Sequence, residues 1–255
     1  MQLRVTLLLL IVTIGGCSSA QSTDKKAKSD PRADRIRNLN GDVHGSDAIE
    51  IRFDRLEATD EAIAIAKGWK EVYSLKAGYS DITDKSIPVI ASLPNLKILH
   101  IHNTLISDAV VDIISEFRDL TSLRLPNGVK EKKLALLENL QNVTTLQLKN
   151  CVLGKQGMKS IVKLKLLQKL DLQGSDLRIA DLPLLLKLKN LKELNISRTS
   201  LDHRAVDHIV KLKQLTHLVC VDTRMSEGDI EKGIKKHLKD TNVEYKSGEF
   251  TPFLD

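Results

Sequence analysis

Aromatic side chains are scarce in this sequence. The 255 residues include one Trp, three Tyr and four Phe, so aliphatic side chains must fill any core. Interleaved aromatics and basic residues, which single-strand nucleic-acid binders use for stacking, are missing. Three cysteines give no support for a disulfide scaffold. The apolar run at residues 7–14 falls short of the ~20 residues that a transmembrane helix needs. One-sided charge is also missing: 39 Lys and Arg stand against 33 Asp and Glu, a formal charge of +6. Nucleic acid is therefore not an expected partner. The chain has no G-x-S-x-G, H-E-x-x-H, phosphate loop or C-x-x-C, and so nothing that announces nucleophilic, metal-assisted or redox chemistry. It reads as a non-enzyme without cofactor or metal. An unrecognised hydrolase is the third reading, behind the two binding roles below.

What is present is a repeat. Apolar residues make up 42 % of the chain, enough for a globular core. They recur in a frame with apolar first, fourth and sixth places, starting at Ala48, Val72, Leu96, Leu120, Val143, Leu167, Leu191 and Leu215. Places four and six alternate with polar neighbours, which predicts a short strand with one buried face. The second half of each unit has helical spacing, as in Val110, Ile113 and Ile114 after Ser107-Asp108. Ser107, Thr83 and Thr59 stand where an N-cap is wanted. Each unit is one coil of strand, turn and short helix. A coil cannot bury its own apolar edge, and stacking supplies a continuous core. Caps are expected at both ends: residues 36–46 with a turn at Asn40-Gly41, and a ninth strand at Val243-Glu244-Tyr245 with residues 250–255 trailing over the last coil.

The frame resembles the leucine-rich-repeat family over residues 48–239. Its nearest look is to bacterial 24-residue repeats whose turn reads Thr-Asp or Ser-Asp, as at Thr59-Asp60, Thr83-Asp84 and Ser107-Asp108. The resemblance implies an α/β solenoid: a curved parallel sheet on the concave side, short helices on the convex side, eight repeats plus caps. The ninth place, usually Asn or Cys in the family, varies here, which leaves the subtype open. The fourth unit is one residue short and holds Pro126 and Gly128, so its turn should be irregular.

Residues 1–17 read as an export signal, with Arg4 as the positive start and small residues after the apolar run. Ile14-Gly15-Gly16-Cys17 resembles the lipobox of bacterial lipoproteins. That resemblance implies lipidation at Cys17, a membrane-anchored location in the cell envelope, and, with Ser18 following, a preference for the outer membrane. The residues also fit a plain secretory signal or an uncleaved anchor. Residues 18–35 are polar and aperiodic, a linker expected to be disordered. The repeat domain is then 36–255.

The outward places of the strand are the third, fifth and seventh. Arg52, Lys76, His100 and Arg124 share the fifth, and adjacent strands are ~4.8 Å apart, which predicts a ladder ~14 Å long. His102 and Lys149 add to it from the seventh place, and Tyr79 stands at the rim as a possible anchor. The row is either a docking strip for an acidic protein surface or anionic polymer, or a solvated row beside Glu50, Asp54 and Asp171. His100 and His102 lack a third metal ligand nearby. Cys151 and Cys220 sit three coils apart, too far to pair. The expected function is a non-catalytic, monomeric, envelope-tethered or secreted scaffold binding a protein or anionic polymer. The alternative is an intracellular adaptor resembling the recognition repeats of ubiquitin-ligase subunits.

Overall fold

The computed structural model describes residues 30–53 and 57–246. The export signal, Cys17, most of the linker, Asp54 and the trailing residues 250–255 lie outside the described residues. Ten strands form one sheet in chain order: β1 (Gly41–His44), β2 (Ile49–Phe53), β3 (Val72–Lys76), β4 (Ile98–His100), β5 (Ser122–Arg124), β6 (Thr145–Gln147), β7 (Lys169–Asp171), β8 (Glu193–Asn195), β9 (His217–Val219) and β10 (Asn242–Glu244). From β2 onward every pairing is parallel, and β1 alone runs antiparallel against β2. The second half of each coil carries a short helix: α2 (Asp60–Ala64), α3 (Ile87–Ala91), α4 (Val110–Ile114), α5 (Glu131–Leu134), α6 (Gly154–Ile161), α7 (Leu182–Leu185) and α8 (Val206–Ile209). The last coil closes with a π-helical turn, Asp229–Lys235. No helix among the described residues is long and apolar enough to cross a membrane.

The leucine frame and the strand register coincide. Leu75, Leu99, Leu123, Leu146, Leu170, Leu194 and Leu218 face one another in successive strands and are all fully buried. The sixth place is buried in the same way, from Ala77 to Cys220. Its amide donates to the fifth-place carbonyl of the next coil, as Leu148 does to Asp171 at 2.8 Å and Leu172 to Asn195 at 2.8 Å. The ninth place explains its own variability. Ser80, Thr104, Ser175, Thr199 and Thr223 each donate a hydroxyl to the sixth-place carbonyl three residues back, at 2.7–3.1 Å. A small hydroxyl thus satisfies a turn carbonyl that backbone pairing leaves over.

The Thr-Asp turns cap within a coil and join one coil to the next. Thr59 accepts from the Ala62 amide at 3.2 Å. Asp60 accepts from the Thr83 amide at 2.9 Å, the Thr83 hydroxyl at 2.6 Å and the Ser86 hydroxyl at 2.6 Å. Asp84 repeats the step by accepting from the Ser107 amide at 2.7 Å. Burial works to raise the Asp60 pKa, yet these bonds hold it below the usual carboxylate value.

The N-terminal cap begins earlier than the sequence pattern suggests. Helix α1 (Pro31–Arg37) takes in residues 31–35, which sequence reading assigned to the linker. Asp30 caps it by accepting from the Arg32 amide at 2.9 Å, and Pro31 fills the first turn, where no amide is needed. Ile36 and Ala33 are buried, and the Arg32 guanidinium lies 4.3 Å over the ring of Trp69, itself 1 % exposed. At the other end β10 supplies the expected ninth coil strand.

Candidate functional site

The sheet register brings the fifth-place residues into one row. Asp42, Arg52, Lys76, His100, Arg124, Gln147 and Asp171 are successive cross-strand neighbours. The ladder foreseen from the repeat therefore exists in backbone register. Its electrostatics differ from a simple stack of cations.

Lys76 is half-buried and holds the carboxylate of Glu50 at 3.0 Å, where the Ser74 hydroxyl also donates at 3.0 Å. Burial works to raise the Glu50 pKa, but Lys76 and Ser74 bring it below the usual range. His100 is 9 % exposed, and its Nε2 lies 2.9 Å from the Ser122 hydroxyl. Burial first, then the charges of Arg124, His102 and Lys76, push its pKa down to about 2. At neutral pH it is therefore a hydrogen-bonding member of the row and carries no charge. Lys149 meets Asp171 at 3.5 Å. The positive character of the row therefore rests on Arg52, Lys76 and Arg124, and Glu50 answers part of it.

His102 is 6 % exposed and stacks edge-on against Tyr79, with ring centroids 4.8 Å apart and planes at 79°. The ring lies over Gly78, where a Cβ would come within 2.4 Å of it. Gly78 is the one glycine in the seventh-place column, and its missing side chain is what admits the imidazole. Tyr79 has φ of 58°, in the left-handed region. The eighth place is left-handed in most coils, and its other occupants include Asn103, Asn150 and Gly174, residues that tolerate this region better than tyrosine.

Sequence reasoning noted Asp171 only as a neighbouring charge. It is fully buried in the row, beyond Gln147, and it accepts from the Gln173 amide at 3.0 Å. Burial raises its pKa above the ordinary carboxylate value, although Lys149, the Gln173 amide and Arg124 pull the other way. Gln147 is 2 % exposed and stands between Arg124 and Asp171. Glu50, Ser122, Gly78, Gln147 and Asp171 all occupy outward places of the same frame, which is the signal that could have found them. Further along, the row becomes neutral and then acidic: Asn195, Val219, and Glu244 in contact with His217 at 3.1 Å.

Cys151 and Cys220 are buried and unpaired with each other, and burial pushes both thiols up to about 12, so neither is reactive. Among the described residues no three His, Cys, Asp or Glu side chains gather where a metal ion could be held.

No family model matches the chain, and no curated protein matches its sequence. Solved structures do resemble it. An internalin from Listeria monocytogenes superposes with a TM-score of 0.55 at 19 % identity, over 76 % of this chain and 51 % of its own. Internalin C2 from the same organism gives 0.56 at 18 % identity, over 85 % of this chain and 93 % of its own. A leucine-rich-repeat protein from Leptospira interrogans gives 0.51 at 19 % identity, over 76 % of this chain and 54 % of its own. The chain thus spans about half the length of two of these structures. The likeness establishes the leucine-rich-repeat fold.

Proposed function

We propose that this chain is a non-catalytic binding scaffold whose concave face docks an acidic segment of a partner protein. The observation that carries this reading is the register-aligned row Arg52, Lys76, His100 and Arg124, flanked by the Tyr79–His102 ring pair. Arg52 and Lys76 stand on adjacent strands, with Arg124 two strands beyond Lys76, and carboxylates laid across the three would gain from their combined field. Tyrosine, histidine and arginine side by side suit a protein partner, because they combine apolar area with hydrogen-bonding tips. The change toward Asp171 and Glu244 gives the groove a polarity, with the acidic stretch of the partner toward β2–β5.

Removing the three charges tests this. Glutamine is the right replacement, since glutamate would set new carboxylates beside Glu50 and Asp171. With Arg52→Gln, Lys76→Gln and Arg124→Gln combined, affinity for Asp/Glu-rich peptides selected on the wild type should fall by about 10- to 100-fold at low salt, and the thermal midpoint should change little. Equal peptide affinity for the two proteins would remove the acidic-partner reading.

The proposal includes an envelope location. Cys17, acylated as in the lipoproteins that residues 14–17 resemble, would hold the domain at a membrane through several acyl chains. Intact mass from a bacterial host should then show a chain beginning at Cys17 with added acyl mass in the membrane fraction. An unacylated soluble chain retaining Met1 would overturn the anchor and reopen the adaptor role.

A further inference from the structure

On the edge of the solenoid where each helix turns back toward the next strand, three consecutive coils repeat one short motif. Lys163-Leu164-Lys165, Lys187-Leu188-Lys189 and Lys211-Leu212-Lys213 occupy equivalent places. Each central leucine is buried, at 0 %, 0 % and 1 % exposure, and all six flanking lysines are exposed. The burial of one residue forces its two neighbours outward, so two parallel rows of ammonium groups run along the edge, ~10 Å from first coil to third at strand spacing. In the first four coils the same places hold Gly68 and Lys70, Ser92 and Pro94, Glu116 and Arg118, and Asn139 and Gln141. Paired lysines at these places are thus confined to the C-terminal half.

The protein does little to neutralise it. Lys163 pairs with Glu138 at 2.6 Å. Among the described residues Lys165 and Lys213 reach only backbone carbonyls, of Val162 at 2.8 Å and His237 at 2.7 Å. Among the described residues Lys187, Lys189 and Lys211 make no ion pair. A cleft of about 350 Å³ opens at the start of this edge, with Lys159, Lys163, Lys165 and Lys187 around it and Glu138 of the preceding coil as its one acidic lining residue.

One apolar residue interrupts this polar edge. Asn95, Asn142 and Asn190 occupy the place after the second outward residue, and each donates its amide to a carbonyl of the preceding coil, at 2.8, 3.0 and 2.8 Å. Leu166 stands in that place in the first lysine coil, 46 % exposed and beside Lys165. A hydrogen-bonding position is given over to a solvent-facing leucine where lysines surround it.

We infer that this edge is a docking surface for an anionic lipid bilayer. Two rows of exposed lysines suit a plane of phosphate headgroups. Lysine keeps its hydration there while its methylene stem lies against the interface. Leu166 supplies apolar area that can enter the headgroup region. The three turns contain no arginine and no aromatic residue, the side chains that carry bidentate phosphate contacts and base stacking in nucleic-acid sites. The edge is separate from the strand row of the concave face, so a domain resting on a membrane this way leaves its groove open. This surface needs neither the acidic partner nor the acyl anchor.

Sedimentation of the full chain with vesicles is the test. With phosphatidylglycerol present, binding should exceed that to pure phosphatidylcholine by about tenfold or more at low salt, and should fall steeply with added salt. Lys187→Glu, Lys189→Glu, Lys211→Glu and Lys213→Glu together should abolish the preference, and the matching glutamine set should weaken it if the glutamate set misfolds. The N-terminal residues are common to all these proteins, so their own membrane affinity cancels. Leu166→Asn should weaken binding severalfold without changing the salt dependence. Failure of the wild type to prefer anionic vesicles would overturn the inference, as would an unchanged preference in a folded lysine variant. Tighter binding to polyphosphate or duplex DNA than to the vesicles would also overturn it and assign the edge to a soluble polyanion.

Discussion

Leu170→Ala should lower the unfolding free energy by about 2–5 kcal/mol. Leu170 is fully buried in β7, between Leu146 on one side and Leu194 on the other. Removing its terminal carbons loses their transfer free energy and leaves a void between coils. The void cannot close easily, because the neighbours at that height belong to adjacent strands whose spacing the sheet hydrogen bonds hold. A stacked repeat adds a second effect. Each coil contacts only its neighbours, so a weakened junction near the middle uncouples the two halves. A urea titration followed by circular dichroism should show both the loss and a shallower transition. A loss under about 1 kcal/mol with an unchanged slope would mean that the coils relax into the gap and are not rigidly stacked.

The second large effect is a loss of stability in mild acid, and its source is His100. Its folded pKa of about 2 lies below the ordinary value of 6.5. Between those values the unfolded chain holds a proton at this imidazole and the folded chain does not. Stability therefore rises with pH across that window and levels off above it, by about 1.4 kcal/mol per unit, or about 2–3 kcal/mol lost at pH 4.5. Asp171 has the opposite sign. Its carboxyl is raised by burial, so as pH falls the folded protein takes up that proton before the unfolded chain does, and gains stability. Glu50 and Asp60, both lowered, lose their contribution only as pH falls below ordinary carboxylate values. His100→Gln should accordingly flatten the decline between pH 6.5 and 4.5, measured from urea midpoints, while Asp171→Asn should steepen it as pH falls toward the ordinary carboxylate range. A His100→Gln protein that loses as much stability as the wild type would place the acid sensitivity elsewhere.

The architecture was legible in the sequence because it depends on one short frame written eight times. Apolar residues at places four and six fix which face of each strand is buried, and their spacing sets the register that joins Lys76 to His100 and Arg124. The Thr-Asp turns were legible as caps, but their bonds to the next coil were not, because a helix N-terminus alone does not say which coil its carboxylate reaches. Helix α1 was missed since seven residues with two buried apolar side chains show no period, although Asp30-Pro31 is a cap-and-first-turn signal. The chemistry of the row was the least legible part. The frame says that His100 and Asp171 point outward, which implies solvent. Both are nevertheless buried, which keeps a potential cation neutral and raises a carboxyl. The left-handed backbone at Tyr79 was invisible for a related reason: most coils need that geometry at the eighth place, yet tyrosine is a poor marker of it.

The short fourth coil shows where this chain can change length. In its neighbours the left-handed residue is the eighth, at Asn103 and Asn150, while here it is Gly128, the ninth. The Gly128 amide still reaches across to the next coil, donating to Asn150 at 3.1 Å, and Ser122, Leu123 and Arg124 stay in step with Thr145, Leu146 and Gln147. The missing residue has been absorbed entirely outside the strand. Deletions and insertions on the helical arc of a coil can therefore accumulate without dislocating the row of side chains on the sheet. The outer arc can drift in evolution, or be trimmed and grafted by design, while the sheet face keeps its alignment.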